Sequence, residues 1–186
     1  MNTGGKNYKK AVTPEQDQRN RKAEKFAQQV MNAKASVDGE IDIFYKSNAS
    51  GRAHSSGASV SVSSSNEKTR VVVHEIGHVI ERQRKNGPEL AKAFLDSRVG
   101  SETPKSLAEM FPDKGYKRDE MGRRDKFSER VHGETGAWYV GKKYDNATEV
   151  ISMGIEAIYT DAATFAREDP EYFKFVVGFL RGDFEP

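Results

Sequence analysis

The chain has 186 residues, of which 35% are hydrophobic and 31% charged, with a formal net charge of +2 and no cysteine. This length suits a single domain with a buried core, and the balanced charge gives no basis for a nucleic-acid or membrane partner. The absence of cysteine excludes disulfides, thiolate metal sites and a cysteine nucleophile. Because residues 1–10 lack the apolar core of a signal peptide and no run approaches about 20 apolar residues, we expect a cytoplasmic protein without a transmembrane segment.

The first predicted helix follows a polar N-terminal segment. Residues 1–12 are rich in Gly and Lys, which favours a disordered tail, and residues 13–186 are expected to form one domain. Thr13-Pro14-Glu15-Gln16 predicts a helix start, because Thr13 can cap the helix and Gln16 can reach back to the cap. The helix is expected to extend to about residue 35, with an apolar stripe formed by Ala23, Phe26, Ala27, Val30 and Met31.

Two strands are predicted next. Residues 41–45 carry apolar side chains at alternate positions, and residues 58–63 alternate strictly between apolar residues and serine. The second strand is expected to be half exposed, with its serines on the open face. Residues 47–57, rich in Ser, Gly and Asn, are expected to connect the two strands.

Two helices are predicted after these strands. Asn66 can cap a helix over residues 67–85. Asn86-Gly87-Pro88 ends that helix and starts a short one that ends near Gly100.

The last part of the chain is predicted to be mostly helical. Residues 101–135 show little periodicity and predict only a short helix at 105–110 and a loop or hairpin. Further helices are predicted over residues 146–159 and from Asp169-Pro170-Glu171 to Leu180. We therefore expect an α+β fold with a small mixed or antiparallel sheet and a mostly helical C-terminal half.

The strongest functional signal is His74-Glu75-Ile76-Gly77-His78, in the middle of an apolar helix. His74 and His78 are one helical turn apart, so both imidazoles can face one zinc ion. Glu75 is displaced by about 100° around the helix, where it can act as general base on water at the metal. Gly77 allows another backbone or a substrate to approach the helix.

A zinc ion needs a further protein ligand from elsewhere in the chain. Glu149 is preferred, because it lies near the start of a largely apolar helix where a carboxylate is favoured. Glu156 lies on the same face of that helix and is either the third ligand in place of Glu149 or a residue that supports a ligand. Ser152 is also on this face and can orient a ligand. His132 and His54 are the other candidates.

The histidine motif, followed by a helix that contains Thr148-Glu149-Val150-Ile151-Ser152, resembles the gluzincin branch of the zinc metallopeptidases. The resemblance implies a zincin-like domain that binds one Zn²⁺ through His74, His78 and Glu149 and hydrolyses a peptide or protein substrate. It also implies that the strand at residues 58–63 forms a sheet edge for substrate and that a tyrosine stabilises the oxyanion, preferably Tyr139 rather than Tyr144. Gluzincins often carry an acidic residue four positions after the ligand glutamate, and Met153 occupies that position here.

A second, looser resemblance leaves two alternatives open. The segment from Tyr139 to Gly154 is similar to C-terminal domains of phage-encoded head-morphogenesis or structural proteins, which implies a bacterial or phage-encoded chain. A non-catalytic zincin scaffold used in virion assembly or partner binding is therefore one alternative. A protease toxin or effector with a narrow protein target is the other. The sequence gives no indication of the oligomeric state.

Overall fold

The computed structural model describes residues 13–31, 41–46, 52–63 and 68–184. Within these ranges the fold is α+β and mostly helical, as expected. The predicted tail at residues 1–12 lies outside the described residues. The helices are α1 (Pro14–Val30), α2 (Thr69–Gln83), α3 (Gly87–Val99), α4 (Leu107–Met110), α5 (Glu129–Val140), α6 (Val150–Glu168) and α7 (Pro170–Arg181). The strands are β1 (Asp42–Lys46), β2 (His54–Ser56), β3 (Ser59–Ser63), β4 (Lys105–Ser106) and β5 (Met121–Gly122).

Helix α1 begins with the predicted capping box. The Thr13 amide donates to Gln16 Oε1 at 3.0 Å, and the Gln16 amide donates to Thr13 Oγ1 at 3.3 Å. The helix ends at Val30 rather than near residue 35, and residues 32–40 lie outside the described part of the chain. Tyr45 Oη on β1 donates to Asn20 Oδ1 at 2.7 Å, which fixes α1 against the sheet.

Strand β3 lies in the centre of a three-stranded sheet, parallel to β1 on one side and antiparallel to β2 on the other. The prediction that residues 58–63 form an exposed edge is therefore wrong. The alternation of apolar and polar residues indicates which face of a strand is buried, but it does not indicate which strands pair with it on either side. Ser61, expected on an open face, is only 6% exposed. The edge strand beside α2 is β2.

Helices α2 and α6 pack against each other at Gly77. A Cβ added there would lie 2.7 Å from the Ser152 Cα and 2.8 Å from Ile155 Cγ2, so only glycine permits this approach. The remaining faces of both helices contribute to the core, which includes Val72, Val73, Ile76, Ile80, Ile151 and Ile155. Helix α2 starts at Thr69 without a side-chain cap, and the predicted cap Asn66 lies outside the described residues.

Residues 101–135 contain more structure than their sequence indicates. Strands β4 and β5 pair antiparallel, with α4 in the connection between them, and α4 lies within the predicted short helix. Helix α5, however, was not predicted. Gly133 interrupts it with φ 70°, and this break removes the helical periodicity that would have indicated it.

Helix α6 begins and ends later than predicted. It covers Val150–Glu168 rather than residues 146–159, and Glu149 is its N-cap residue. Asp161 leaves helical geometry, but its Oδ1 accepts a hydrogen bond from the Thr164 amide at 3.0 Å, so a further helical segment starts there. None of the described helices is long and apolar enough to cross a membrane.

Candidate metal centre

The contact between α2 and α6 brings together the two histidines and one distant carboxylate. Glu149 Oε2 lies 3.2 Å from His74 Nε2 and 3.1 Å from His78 Nε2. Glu149 is fully buried, and His74 is 8% exposed. The structure therefore places the three predicted metal ligands in one cluster, although Glu149 lies far along the chain from the histidines.

The spacing of these donor atoms fits a small tetrahedral cation. Ligand atoms about 2.0–2.1 Å from a tetrahedral zinc ion are about 3.3 Å from each other. The two measured distances from Glu149 Oε2 are close to this value, and one donor atom from each residue lies within 4.8 Å of the others. Two imidazoles and a carboxylate also form a typical donor set for a catalytic zinc site.

The electrostatics of the cluster favour positive charge between the ligands. Burial acts to lower the pKa of His74, but hydrogen bonds with Glu149 and Glu156 outweigh it and raise the pKa to about 10. Burial acts to raise the pKa of Glu149, whereas His78 and His74 hold it well below its ordinary value. A divalent cation supplies the charge that these groups stabilise.

Two hydroxyl groups orient the Glu149 carboxylate. Tyr144 Oη donates a hydrogen bond to Oε1, and Ser152 Oγ donates one to Oε2 at 2.9 Å. Oε2 is the oxygen that faces both histidines. The carboxylate is therefore held from both sides with one oxygen directed at the candidate metal position.

Glu81 fixes the chain immediately before Glu149. It is 1% exposed, and its two carboxylate oxygens accept from the Thr148 amide at 2.7 Å and from Thr148 Oγ1 at 2.8 Å. Burial raises the pKa of Glu81 to about 7, although the hydrogen bonds from Thr148 oppose this rise. Sequence reasoning missed Glu81, but a charged residue on the buried face of an apolar helix, one turn beyond His78, was a usable signal.

Glu156 supports His74 from the opposite side of the imidazole. Its Oε2 lies 3.0 Å from His74 Nδ1, and its other oxygen accepts from Arg70 Nη1. A proton held on Nδ1 by this carboxylate leaves Nε2 free for a metal. The structure thus places Glu149 beside both Nε2 atoms and Glu156 against Nδ1 of His74. The acidic contact to the histidine comes from Glu156 rather than from position 153, which is Met153 in this chain.

Glu75 lies beside the cluster with a free carboxylate oxygen. The residue is 5% exposed, and its Oε2 is buried without a hydrogen-bond partner among the described residues. Burial raises the pKa of Glu75, and the nearby imidazoles of His74 and His78 oppose that rise. A carboxylate with a raised pKa and an unsatisfied oxygen is suited to accept a proton from a neighbouring group.

A cleft of about 340 Å³ opens onto Glu75, His78 and Glu149. Tyr139 lines it, and the Tyr139 hydroxyl accepts a hydrogen bond from Arg52 Nη2 at 3.2 Å. Burial, together with the Glu149 charge, raises the pKa of Tyr139, so its hydroxyl keeps its proton at neutral pH. Tyr144 lines the same cleft but donates its hydroxyl hydrogen bond to Glu149, whereas the Tyr139 hydroxyl is paired with Arg52.

Arg52 and Lys142 flank the cleft and share one carboxylate. Arg52 Nη1 donates to Glu120 Oε1 at 2.8 Å, and Lys142 Nζ donates to the same oxygen. Both cations also lie over the Tyr139 ring. Sequence reasoning did not identify this group, because its members come from separate segments with no shared pattern.

The two remaining histidines lie apart from the triad. His132 packs near the Phe165 and Tyr172 rings, with centroids 6.2 and 6.1 Å away, and its Nε2 is enclosed without a partner among the described residues. His54 is an exposed residue of β2 that lines the cleft. Neither belongs to the candidate metal cluster.

Comparison with known proteins identifies no relative: no protein-family model, curated protein or solved structure shows significant similarity to this chain.

Proposed function

We propose that this protein is a zinc-dependent endopeptidase with a zincin-like domain of the gluzincin type. The observation that carries the proposal is the spacing of His74 Nε2, His78 Nε2 and Glu149 Oε2, beside a buried Glu75 whose Oε2 has no hydrogen-bond partner within the described ranges. A zinc ion held by these ligands supplies a Lewis acid that polarises a peptide carbonyl and makes water more acidic.

Residues of the chain supply the rest of the chemistry. Glu75 takes a proton from the attacking water and returns it to the leaving amine, for which its raised pKa is suited. Tyr139 keeps its hydroxyl proton and can donate it as a hydrogen bond to the developing oxyanion. Among the described residues β2 pairs on one side only, so its free edge can bind the main chain of an extended peptide.

The general-base role is tested by Glu75→Gln, which preserves shape but removes the proton acceptor. We expect bound zinc and the fold to persist, while peptide cleavage falls about 10²–10⁴-fold. Cleavage of a peptide library is followed by mass spectrometry, with the exposed Glu134→Gln as the matched control. Full activity in Glu75→Gln would contradict the mechanism.

The zinc content of two variants distinguishes the proposed metal ligand, Glu149, from the proposed supporting residue, Glu156. We expect one zinc per chain by elemental analysis, loss of zinc in Glu149→Ala, and weaker but measurable zinc binding in Glu156→Ala. The reverse order would show that the third ligand is wrongly assigned. Stoichiometric zinc without cleavage of any peptide would favour the non-catalytic scaffold, and cleavage of a single protein target would favour the toxin or effector.

A further inference from the structure

Arg82 lines the cleft beside the candidate metal centre. Arg82 is one helical turn beyond His78 and two turns beyond Glu75, so the three side chains leave the same face of α2. All three line the same cleft. The cation is therefore placed where it can contact a molecule bound next to Glu75.

Arg82 differs from the other cations of the cleft in having no carboxylate partner within the described residues. Its Nη2 donates to the Gly57 carbonyl at 3.2 Å, and its Nε is enclosed without an acceptor in the described part of the chain. Arg52 and Lys142, in contrast, both pair with Glu120. Burial lowers the pKa of Arg82, and the charges of Glu81 and Glu75 only partly offset this.

The contact with Gly57 places Arg82 at one end of the free sheet edge. Gly57 directly follows β2, the strand whose outer edge has no partner among the described residues. An extended peptide paired with β2 would have one end beside Gly57 and Arg82. A negative group at that end of the peptide would meet a guanidinium that has no carboxylate bonded to it among the described residues.

We infer that Arg82 binds a carboxylate of the substrate, so that the cleft selects acidic peptides. This inference rests on the proposed peptidase function and names its substrate class. A carboxylate offers two acceptors that match the planar guanidinium, and a neutral amide of the same shape does not. The carboxylate comes either from an Asp or Glu side chain or from the C-terminus of the peptide.

Binding to the zinc-loaded Glu75→Gln protein tests the inference without requiring catalysis. The probes are fluorescein-labelled peptide pools that differ only in Glu against Gln side chains, or in a free against an amidated C-terminus. We expect at least about 10-fold tighter binding of one carboxylate-bearing pool, from the usual strength of a charge-assisted hydrogen bond. Loss of the preference on amidation assigns the C-terminal carboxylate, and loss on Glu-to-Gln exchange assigns the side chain.

Two further substitutions, each made in the Glu75→Gln protein, test whether Arg82 is responsible for the preference for carboxylates. Arg82→Gln is expected to bind carboxylate and amide pools equally, whereas Lys85→Gln, which removes an exposed charge outside the cleft, retains the preference. Circular dichroism verifies that each variant is folded. Equal binding of all pools, no binding of any pool, or an unchanged preference in Arg82→Gln overturns the inference.

The same data separate this inference from the proposed function. Preference for carboxylate pools that depends on Arg82, without cleavage of any peptide by the unsubstituted protein, supports the recognition role and contradicts the peptidase. Cleavage without preference for a carboxylate supports the peptidase and overturns the recognition role.

Discussion

Glu81 shows how one buried side chain can control a site that it does not enter. Both of its oxygens are used to hold Thr148, the residue before Glu149. Glu81→Ala would leave the buried amide and hydroxyl of Thr148 unsatisfied, which costs about 1–3 kcal/mol of unfolding free energy. The freed segment would also present Glu149 less rigidly, so zinc affinity should fall about 10–100-fold.

Competition with a chelator measures the zinc affinity of Glu81→Ala, and urea denaturation measures its stability. Glu81→Gln retains one acceptor oxygen and is expected to have an intermediate effect. Unchanged zinc affinity in Glu81→Ala would show that the Thr148 segment is held in place by other contacts.

At the scale of elements, the crossing of α2 and α6 depends on Gly77. Alanine at this position would gain about 1 kcal/mol of helix propensity. Its Cβ, however, would lie 2.7 Å from the backbone of Ser152, which cannot move aside as a flexible side chain can. We expect Gly77→Ala to lower the free energy of unfolding by about 1–3 kcal/mol and to weaken zinc binding, because the crossing brings Glu149 to the histidines.

Ala93→Gly, at an exposed position of α3, gives the size of the propensity effect alone. Denaturant unfolding of both variants separates the contribution of helix propensity from that of the steric contact with Ser152. A stabilised Gly77→Ala protein with normal zinc affinity would mean that the helices adjust to the added methyl group without cost.

Whether an element or contact could be predicted from the sequence depends on how far apart in the chain the residues that specify it lie. The start of α1 and the position of His74 and His78 on one face of α2 depend on residues within one or two helical turns, and both were predictable. The approach of Glu149 was predictable only as a hypothesis, because it depends on long-range packing. The central position of β3 and the contact between Glu81 and Thr148 had no local pattern that could specify them.

At the scale of the whole molecule, Arg98 joins three separate parts of the chain. From α3 it donates to Asp125 Oδ2 at 2.8 Å and to Asp169, the N-cap residue of α7. Its side chain is 2% exposed. Arg98→Met would leave two buried carboxylates without their counter-charge, and we expect a loss of about 3–5 kcal/mol in unfolding free energy.

The exposed pair of Arg181 and Asp183 provides a control for Arg98→Met, because Arg181→Met should change stability by about 1 kcal/mol or less. Equal effects of the two substitutions in urea unfolding would show that the buried cluster contributes no more than a surface ion pair.

The stability of the whole molecule should also depend on the protonation of His132. Burial lowers the pKa of His132 to about 4, from an ordinary value of 6.5, despite the nearby charges of Glu156 and Asp169. At pH above about 7 the imidazole is neutral in both the folded and unfolded states and contributes no pH dependence. As the pH falls from 6.5 to 4, the unfolded chain takes up a proton that the folded protein does not.

The unfolding free energy should therefore fall in this range by up to about 3 kcal/mol on account of His132 alone. His132→Phe replaces the ring, next to Phe165 and Tyr172, with one that does not titrate. Urea unfolding between pH 4 and 7.5 should show a shallower decline in stability for this variant than for the unsubstituted protein. An NMR titration, with the variant used to assign the His132 signal, measures the pKa directly, and a value near 6.5 would contradict this origin of acid sensitivity.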